Sequence, residues 1–423
     1  MKVHQAFRYE LDPNNTRRTL LVKSAGTARF AYNWALADRI KRFGQNEGKA
    51  RFTTAMEQHR LLNRLKATEF PWMYDVSKCA AQESLRDCER AFKNFWRGRK
   101  RGLKTGFPKF KRKGCRDAFR LTGAIHVTKR GVVLPRIGEI RSKEPTVKFR
   151  GIVLSATVSR EADRWFVSLS VEVERSEPKR IEGPAAGVDL GLEAFATLSD
   201  GVRIEAPKPL KAALRRLRRF SRAHSRKQKG SENRRESALL LARLHRRIRN
   251  IRNDWLHKLT TTLAKTKSVI VVEHLSVRGL MSNRRLARSV SDAGWAEFQR
   301  MLGYKTQWYG SELRVIDRFA PSSRTCSGCG AHHETLALSD RIFVCRECGN
   351  GMGRDENAAR NILEFGLKQR EGGTESSSGS HACGDRITNR RSAKQEADGI
   401  GADGYARACL KCVSSVERLP PRH

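Results

Sequence analysis

The pattern of hydrophobic and polar positions divides the chain into two halves. Within residues 3–11 the odd-numbered positions are mostly apolar, which predicts a strand with one buried face. From 16 to about 98, apolar residues recur at three- and four-residue spacing, which predicts helices. Residues 119–174 are β-rich, and the alternation over 165–173 predicts the clearest strand there.

The second half has the pattern of an α/β domain. GVDLGLEAFATLSDG predicts a buried strand, a tight turn and a second strand. SVIVVE, at 268–273, is a continuous apolar run, which is typical of a central parallel strand. SDAGWAEFQRMLGYKTQWYG predicts an amphipathic helix with Ser291 or Asp292 as its N-cap.

The charge balance indicates a polyanionic partner. The 423 residues include 85 Lys and Arg against 44 Asp and Glu, a net charge of +41. The positive charge is densest in two helices predicted near 207–229 and 233–265. Residues 207–253 include seventeen Lys or Arg and two Glu. An acidic membrane is the alternative to nucleic acid, but no stretch approaches 18 consecutive apolar residues. The N-terminus also lacks the apolar core of a signal peptide, so we expect a soluble, intracellular protein.

Three acidic residues occupy positions from which a sheet can gather side chains at one edge. Asp189 lies in the first predicted strand, Glu273 ends the apolar run, and Asp355 opens a short helix. This is the order typical of an RNase H-like sheet. Carboxylates are ligands for Mg²⁺ or Mn²⁺, and two such ions can promote phosphodiester hydrolysis. Each acid also has an alternative interpretation when it is considered alone: Asp189 as a turn residue, Glu273 as a surface charge at a strand end, and Asp355 as an N-cap.

Four cysteines have the spacing of a zinc ribbon. They form two CxxC pairs separated by fifteen residues, each followed by a glycine. Four thiolates complete a tetrahedral Zn²⁺ site, so we expect a structural zinc; two unrelated redox pairs are the alternative. The four are Cys326, Cys329, Cys345 and Cys348. A second zinc set could lie in the tail, formed by His381, Cys383, Cys409 and Cys412.

The segments that carry the acids are similar to the three split RuvC motifs of TnpB proteins. These segments are GVDLG, VVEHL and RDENAARNIL. HKLTTTLA, NRRLARSVSDAGWAEF, and KNFWR with GFPKFKRK extend the resemblance over residues 1–370. Insertion sequences encode TnpB, and its relatives include compact type V CRISPR effectors. The resemblance implies that the three acids are catalytic. Gly353 and His274 stand where family members often carry Asp, which concerns accessory contacts rather than metal ligands.

The resemblance also implies a fold class and a domain order. The expected fold is α/β with an α+β N-terminal half: an RNase H-like RuvC domain with an inserted zinc ribbon, and an N-terminal wedge-like β-barrel domain that carries a helical recognition insert. The predicted segments are the first wedge strand (1–15), the helical insert (16–117), the rest of the wedge (118–182), the RuvC-like domain (183–320), the zinc ribbon (321–350), the third RuvC motif (351–370) and a disordered tail (371–423).

The function that the resemblance implies is RNA-guided, metal-dependent cleavage of double-stranded DNA, associated with a transposable element. A guide RNA would read most of the sequence, and the protein would read a short flanking motif. By position, the motif-reading residues are Phe52, Lys78, Gln82 and Thr122; a solvated helix face is the alternative for them. We expect a monomer bound to its guide RNA in a prokaryotic cytoplasm, associated with the nucleoid, with two Mg²⁺ or Mn²⁺ ions and one Zn²⁺.

Four other functions are compatible with parts of this pattern. A nuclease-inactive, RNA-guided repressor would not need the acidic triad. A compact type V CRISPR effector differs mainly in genomic context, and the short chain favours TnpB. RNase H-like transposases that join strands usually carry Glu as the third acid. A zinc-ribbon RNA-binding module would explain the charge but not the three acids.

Overall fold

The computed structural model describes residues 2–45, 53–147, 149–333 and 340–368. The chain divides into two compact units, and the division falls between Arg175 and Ser176. Phe52, the predicted tail and its second cysteine set lie outside the described residues.

Among its described residues, the first unit contains seven strands, three α-helices and one short 3₁₀ helix. In chain order they are β1 (Lys2–Leu11), α1 (Asn15–Gln45), α2 (Ala55–Thr68), the 3₁₀ helix (Pro71–Asp75), α3 (Lys78–Lys100), β2 (Ala118–Leu121), β3 (His126–Val127), β4 (Gly131–Leu134), β5 (Gly138–Arg141), β6 (Ile152–Glu161) and β7 (Arg164–Glu174).

The strands of the first unit form two antiparallel sheets over one core. One sheet has the order β1-β7-β6-β2 and the other the order β3-β4-β5. Tyr9 and Leu11 of β1 are buried with Val167 and Leu169 of β7, as the alternating pattern predicts. The pairings confirm the β character of this half, but they do not themselves close a barrel.

The helices of the first unit have their own core, and their starts are specified locally. Thr54 and Glu57 form a capping box at the start of α2, in which the Thr54 hydroxyl accepts from the Glu57 backbone N–H. Ser77 caps α3 by accepting from the backbone N–H of Cys79. Leu36 and Leu85 are fully buried between these helices.

Among its described residues, the second unit contains seven strands and six α-helices. They are β8 (Ala186–Leu190), β9 (Ala196–Leu198), β10 (Arg203–Ile204), α4 (Pro209–Arg226), α5 (Glu232–Thr266), β11 (Val269–Glu273), α6 (Val277–Ser282), α7 (Ala287–Ala293), α8 (Trp295–Tyr309), β12 (Glu312–Ile316), β13 (Ile342–Val344), β14 (Gly351–Gly353) and α9 (Arg354–Lys368).

A mixed five-stranded sheet organises the second unit. Its order is β10-β9-β8-β11-β12, with β8, β11 and β12 parallel and the hairpin of β9 and β10 antiparallel. The central strand β11 is the predicted apolar run, and Ile270, Val271 and Val272 are fully buried in it. Phe298 of α8 and Leu256 of α5 pack on one face of the sheet. The mixed α/β fold class is therefore confirmed.

The predicted N-cap of the amphipathic helix is wrong. Neither Ser291 nor Asp292 caps α8, because Gly294 precedes it in a left-handed conformation (φ 76°) and ends α7. The Asp292 carboxylate instead accepts from two backbone N–H groups in the first turn of α4, at 3.0 and 2.9 Å. It also pairs with Arg252 of α5 at 3.1 Å. Asp292 therefore fastens the basic helical pair, α4 and α5, to α7.

Candidate active site and zinc ribbon

Two of the three acids lie side by side at one edge of the sheet. Strands β8 and β11 are parallel, with Val188 opposite Val272. Asp189 and Glu273 are the next residues on each strand, so they lie at the same edge and on the same face. The pairing of β8 with β11 places the two carboxylates together. The apolar run predicts that β11 is a central parallel strand, but it does not predict which strand lies beside it.

Helix α9 brings Asp355 to the same edge. A Cβ atom at Gly187 of β8 would overlap the carbonyl oxygen of Ala359, and one at Gly366 would overlap the side chain of Val271. These two glycines allow α9 to lie directly against β8 and β11. Asp355 is the second residue of α9, and its carboxylate is near enough to Asp189 to affect the pKa of that residue.

The carboxylates of Glu273 and Asp355 both act on that of Asp189. Desolvation, followed by the carboxylates of Glu273 and Asp355, raises the pKa of Asp189 to about 7, against a lowering effect of the Arg354 guanidinium. Burial raises the pKa of Glu273, whereas a hydrogen bond from Ser322 lowers it. A cation among these groups would stabilise the ionised carboxylates and so lower the pKa of both Asp189 and Glu273. Carboxylate oxygens are also the donors that a hard divalent ion prefers. The donor set therefore fits Mg²⁺ or Mn²⁺.

The acids are spread more widely than the cysteines. Within the described ranges, the four cysteines are the one group of His, Cys, Asp or Glu whose ligand atoms all lie within 4.8 Å of one another. The carboxylate oxygens of the three acids are therefore not all within this distance of one another.

A serine that the sequence analysis missed holds the second acid in place. The Ser322 hydroxyl donates to Glu273 Oε1 at 2.5 Å, and Gln299 Nε2 donates to the Glu273 backbone oxygen at 2.8 Å. The Ser322 carbonyl oxygen accepts from Asn361 Nδ2 of α9 at 2.7 Å. Ser322 thereby joins the strand that carries the second acid to the helix that carries the third.

Two asparagines of α9 continue this network to the cysteine cluster. Asn357 accepts from the backbone N–H of Ser327 at 2.9 Å and donates to the Thr325 carbonyl oxygen at 2.7 Å. Asn361 also donates to the Thr325 oxygen at 2.5 Å, and both asparagines are fully buried. The signal in the sequence is NAARN, which places two amides four residues apart on the apolar face of the helix.

The four predicted ligands converge as a zinc ribbon requires. Cys326 Sγ lies 3.7 Å from Cys348 Sγ, and Cys329 Sγ lies 3.6 Å from Cys345 Sγ. A tetrahedron with Zn–S bonds of about 2.3 Å has sulfur–sulfur edges of about 3.8 Å. The glycine after each pair is left-handed, with φ of 78° at 330 and 71° at 349. The cluster fits one tetrahedral Zn²⁺, as predicted.

The basic helical pair presents its charge to solvent. Pro209 is the buried residue of α4, and the arginines that follow it in this helix are largely exposed. Packing against the rest of the protein therefore does not explain why this helix carries so many arginines. Such a surface suits the phosphates of a nucleic acid, which bind Lys and Arg without regard to sequence.

Three of the four predicted motif-reading residues are within the described residues, in the first unit. Lys78 begins α3 and is exposed, and Gln82 lies one turn later and is half-buried. Thr122 follows β2, and its hydroxyl lies 3.5 Å from the sulfur of Cys79, the residue after Lys78. The structure thus brings Thr122 to the start of α3.

The chain is similar to known proteins over nearly its whole length. A protein of Streptomyces pristinaespiralis, described as "Putative RNA-guided DNA endonuclease", is 37% identical over 93% of this chain and 96% of its own. InsQ of Escherichia coli K12, with the same description, is 33% identical over 94% of this chain and 98% of its own. The chain belongs to the TnpB family.

Three family profiles match parts of this TnpB chain. A profile described as "Probable transposase" matches residues 168–284, and one described as "Cas12f1-like, TNB domain" matches 295–362. A third, described as "Helix-turn-helix domain", matches 1–49. The described residues 2–45 of that match form β1 and one continuous helix, α1, rather than two helices around a turn.

One solved structure has a similar fold. The Cas12f1 protein in a complex with sgRNA and target DNA superposes with a TM-score of 0.50 at 15% identity, over 86% of this chain and 99% of that one. At this identity the likeness concerns the fold alone. Among the helices that the structure describes, none is long and apolar enough to cross a bilayer.

Proposed function

We propose that the protein is an RNA-guided, metal-dependent endonuclease that cleaves double-stranded DNA. The observation that carries this proposal is the convergence of Asp189, Glu273 and Asp355 at one sheet edge in a TnpB-family chain of strongly basic composition. A nuclease-inactive repressor would have no use for a buried Asp189 beside two further carboxylates, because holding them together costs stability unless a cation binds.

The three acids would hold two Mg²⁺ ions, or Mn²⁺. When bound, such ions activate a water molecule for attack and stabilise the leaving oxygen of the phosphodiester. Ser322 keeps the Glu273 carboxylate in one orientation through its hydroxyl. Asp189 and Asp355, from β8 and α9, provide the remaining carboxylate oxygens at this edge. Arg354 lies close enough to Asp189 to offset part of the negative charge.

The guide RNA and the target would occupy the basic surfaces. Helices α4 and α5 would bind phosphates of the guide or of its hybrid with DNA, while base pairing reads the sequence. Lys78, Gln82 and Thr122, with Phe52, would read the short flanking motif in duplex DNA. We assign one protein chain to each guide RNA, one structural Zn²⁺ to the cysteines, and a cellular location beside prokaryotic DNA.

The finer domain borders belong to the same proposal. Residues 1–15 and 118–182 would form a wedge-like β-barrel domain, with 16–117 as its helical recognition insert. Residues 183–320 and 351–370 would form the RuvC-like nuclease domain, interrupted by the zinc ribbon at 321–350. The joint core of the two N-terminal sheets supports the first grouping, and α9 packed against β8 supports the second.

The decisive experiment redirects the protein with its guide. The full chain, copurified with its RNA and supplied with Mg²⁺, should cleave a duplex that carries the flanking motif and a guide-matched sequence. Changing only the guide's terminal segment should move cleavage to the new match. Asp189→Ala, Glu273→Ala and Asp355→Ala should each abolish cleavage and leave guide-dependent DNA binding within a few fold. Site-specific cleavage by protein free of RNA would refute the proposal.

A further inference from the structure

The loop from Asp317 to Ser322 leaves the sheet beside the acids. Strand β12, which precedes it, is parallel to β11, and Ile316 lies opposite Glu273. At the other end of the loop, the Ser322 hydroxyl is bonded to the Glu273 carboxylate at 2.5 Å. Both ends of this short loop are therefore anchored next to the second acid.

Phe319, in the middle of this loop, is strongly exposed. Its side chain is 77% exposed, the highest value among the large apolar side chains in the described part of the chain. Its backbone N–H donates to Asp317 Oδ1 at 2.8 Å, which holds the turn. The Arg318 guanidinium lies over the ring, 4.5 Å from its centroid. An isolated exposed ring is common, but this one combines an adjacent cation with a position beside the acids.

We propose that Phe319 and Arg318 form a stacking contact for an unpaired base of the DNA strand that enters the acidic site. Aromatic rings stack on every base, so such a contact does not depend on sequence. The inference rests on the proposed function, because it takes the cleaved DNA strand as the ligand.

The acidic site itself gives no contact to the bases of the strand. The acids, with the ions that they would hold, act on the phosphate to be cleaved. A base stacked on Phe319 provides attraction that is independent of the phosphate charge, and Arg318 offers a cation to a neighbouring phosphate. The loop is tied to Glu273, so a stacked base would set the position of the strand relative to that acid.

The test compares two substitutions of the same ring in the full chain bound to its guide RNA. Phe319→Ala removes the stacking surface, whereas Phe319→Trp keeps it. For Phe319→Ala we expect kcat/KM on a guide-matched duplex to fall about five- to 150-fold, the loss typical of one base–aromatic stack. Phe319→Trp should stay within about threefold of wild type. Val202→Ala, which alters a 51% exposed side chain in the turn between β9 and β10, should cleave as wild type does.

A second readout locates the base without cleavage. With Mg²⁺ omitted, 2-aminopurine is placed at successive positions of each target strand, since its fluorescence falls when it stacks on an aromatic ring. We expect quenching at one or two positions near the cleavage point with wild type and Phe319→Trp, and recovery of the signal with Phe319→Ala.

The outcomes separate this inference from the proposed function. If wild type does not cleave guide-matched DNA, the proposed function fails and the inference falls with it. If wild type cleaves, and Phe319→Ala cleaves within about twofold of it with the same quenching profile, the stacking contact alone is wrong. A loss of cleavage shared by the Ala and Trp variants would also overturn it, because indole stacks on bases at least as well as phenyl.

Discussion

At the scale of single residues, Ser322 has two roles that its place in the sequence does not reveal. Its hydroxyl orients Glu273, and its carbonyl oxygen accepts a hydrogen bond from Asn361 of the helix that carries Asp355. A hydrogen bond to a charged group contributes about 1.5–3 kcal/mol when it is buried. Ser322 is 6% exposed, so its bond to Glu273 should be in this range.

We therefore expect Ser322→Ala to weaken the metal site more than the fold. Cleavage should fall roughly tenfold or more at low Mn²⁺ and recover in part at high Mn²⁺, because the free Glu273 carboxylate has to be ordered by the ion itself. Binding of Mn²⁺ measured by electron paramagnetic resonance should weaken in parallel. Ser322→Thr keeps the hydroxyl and should restore much of the affinity, and Ser323→Ala is the matched control. Unchanged Mn²⁺ affinity in Ser322→Ala would remove the orienting role.

The strands that carry Asp189 and Glu273 could be predicted from the sequence, whereas the residues that orient Glu273 could not. Asp189 lies within a predicted strand, and Glu273 ends an apolar run whose length indicates another. The partners of Ser322 and Asn361 are 49 and 39 residues away along the chain. The pairing of β12 with β11 brings Ser322 to Glu273, and the packing of α9 brings Asn361 to Ser322. Buried polar networks of this kind depend on tertiary structure that local patterns do not encode.

At the scale of elements, the close packing of α9 on the sheet determines where the third acid lies. A methyl group at Gly187 would overlap the backbone of Ala359, and backbone cannot move aside as a flexible side chain can. Gly187→Ala should therefore displace α9, lower the free energy of unfolding by about 2–4 kcal/mol and reduce cleavage strongly.

The matched control for this variant is another glycine of the same unit. Gly303, within α8, has no atom within 4 Å of an added Cβ, so Gly303→Ala should stabilise the helix by about 0.5–1 kcal/mol and leave cleavage unchanged. Thermal unfolding and single-turnover cleavage measure both effects. If Gly187→Ala unfolds and cleaves as wild type does, α9 is less tightly placed than its glycines indicate.

The cysteine cluster is joined by hydrogen bonds to α9, the helix that carries Asp355. Asn357 bonds to the backbone on both sides of Cys326, at Thr325 and Ser327. Cys326→Ser should thus lower the zinc content to below one per chain. Both this substitution and removal of zinc by a chelator should also weaken Mn²⁺ binding at the acids. Elemental analysis and Mn²⁺ titration measure the two effects. Loss of zinc with unchanged Mn²⁺ affinity would show that the ribbon and the acidic site are independent.

The helix boundaries show the limit of local pattern. The two basic helices begin and end within about three residues of their predicted bounds, because their apolar spacing and the glycine between them are local signals. Asp292 looks like an N-cap by the same rules, yet it caps α4, which begins 83 residues earlier at Pro209. A capping residue is recognisable from sequence, but the helix that it caps is a matter of tertiary packing.

At the scale of the whole molecule, the net charge of +41 makes the protein's behaviour depend on its RNA. Without RNA the exposed arginines of α4 and α5 should bind any duplex, and the affinity should fall steeply with salt as counterions are released. On the proposed function, bound RNA would neutralise these charges, and specificity would come from pairing with the guide. The composition predicts a polyanionic partner, and the structure adds that α4 carries seven Lys or Arg residues and no acidic residue on an exposed helix.

The final prediction tests α4 directly. Replacing Arg215, Arg218 and Arg222 with Gln should weaken guide-RNA binding and reduce the slope of log K against log salt by up to about 0.9 for each phosphate of a double-stranded segment that is no longer neutralised. The same three positions changed to Lys keep the charge and should keep the slope. Filter binding at several salt concentrations measures both. Because these side chains are exposed, the folded state should tolerate the substitutions, which circular dichroism checks. An equal slope in the Gln and wild-type proteins would mean that the RNA lies elsewhere, and that the charge on α4 serves another anion.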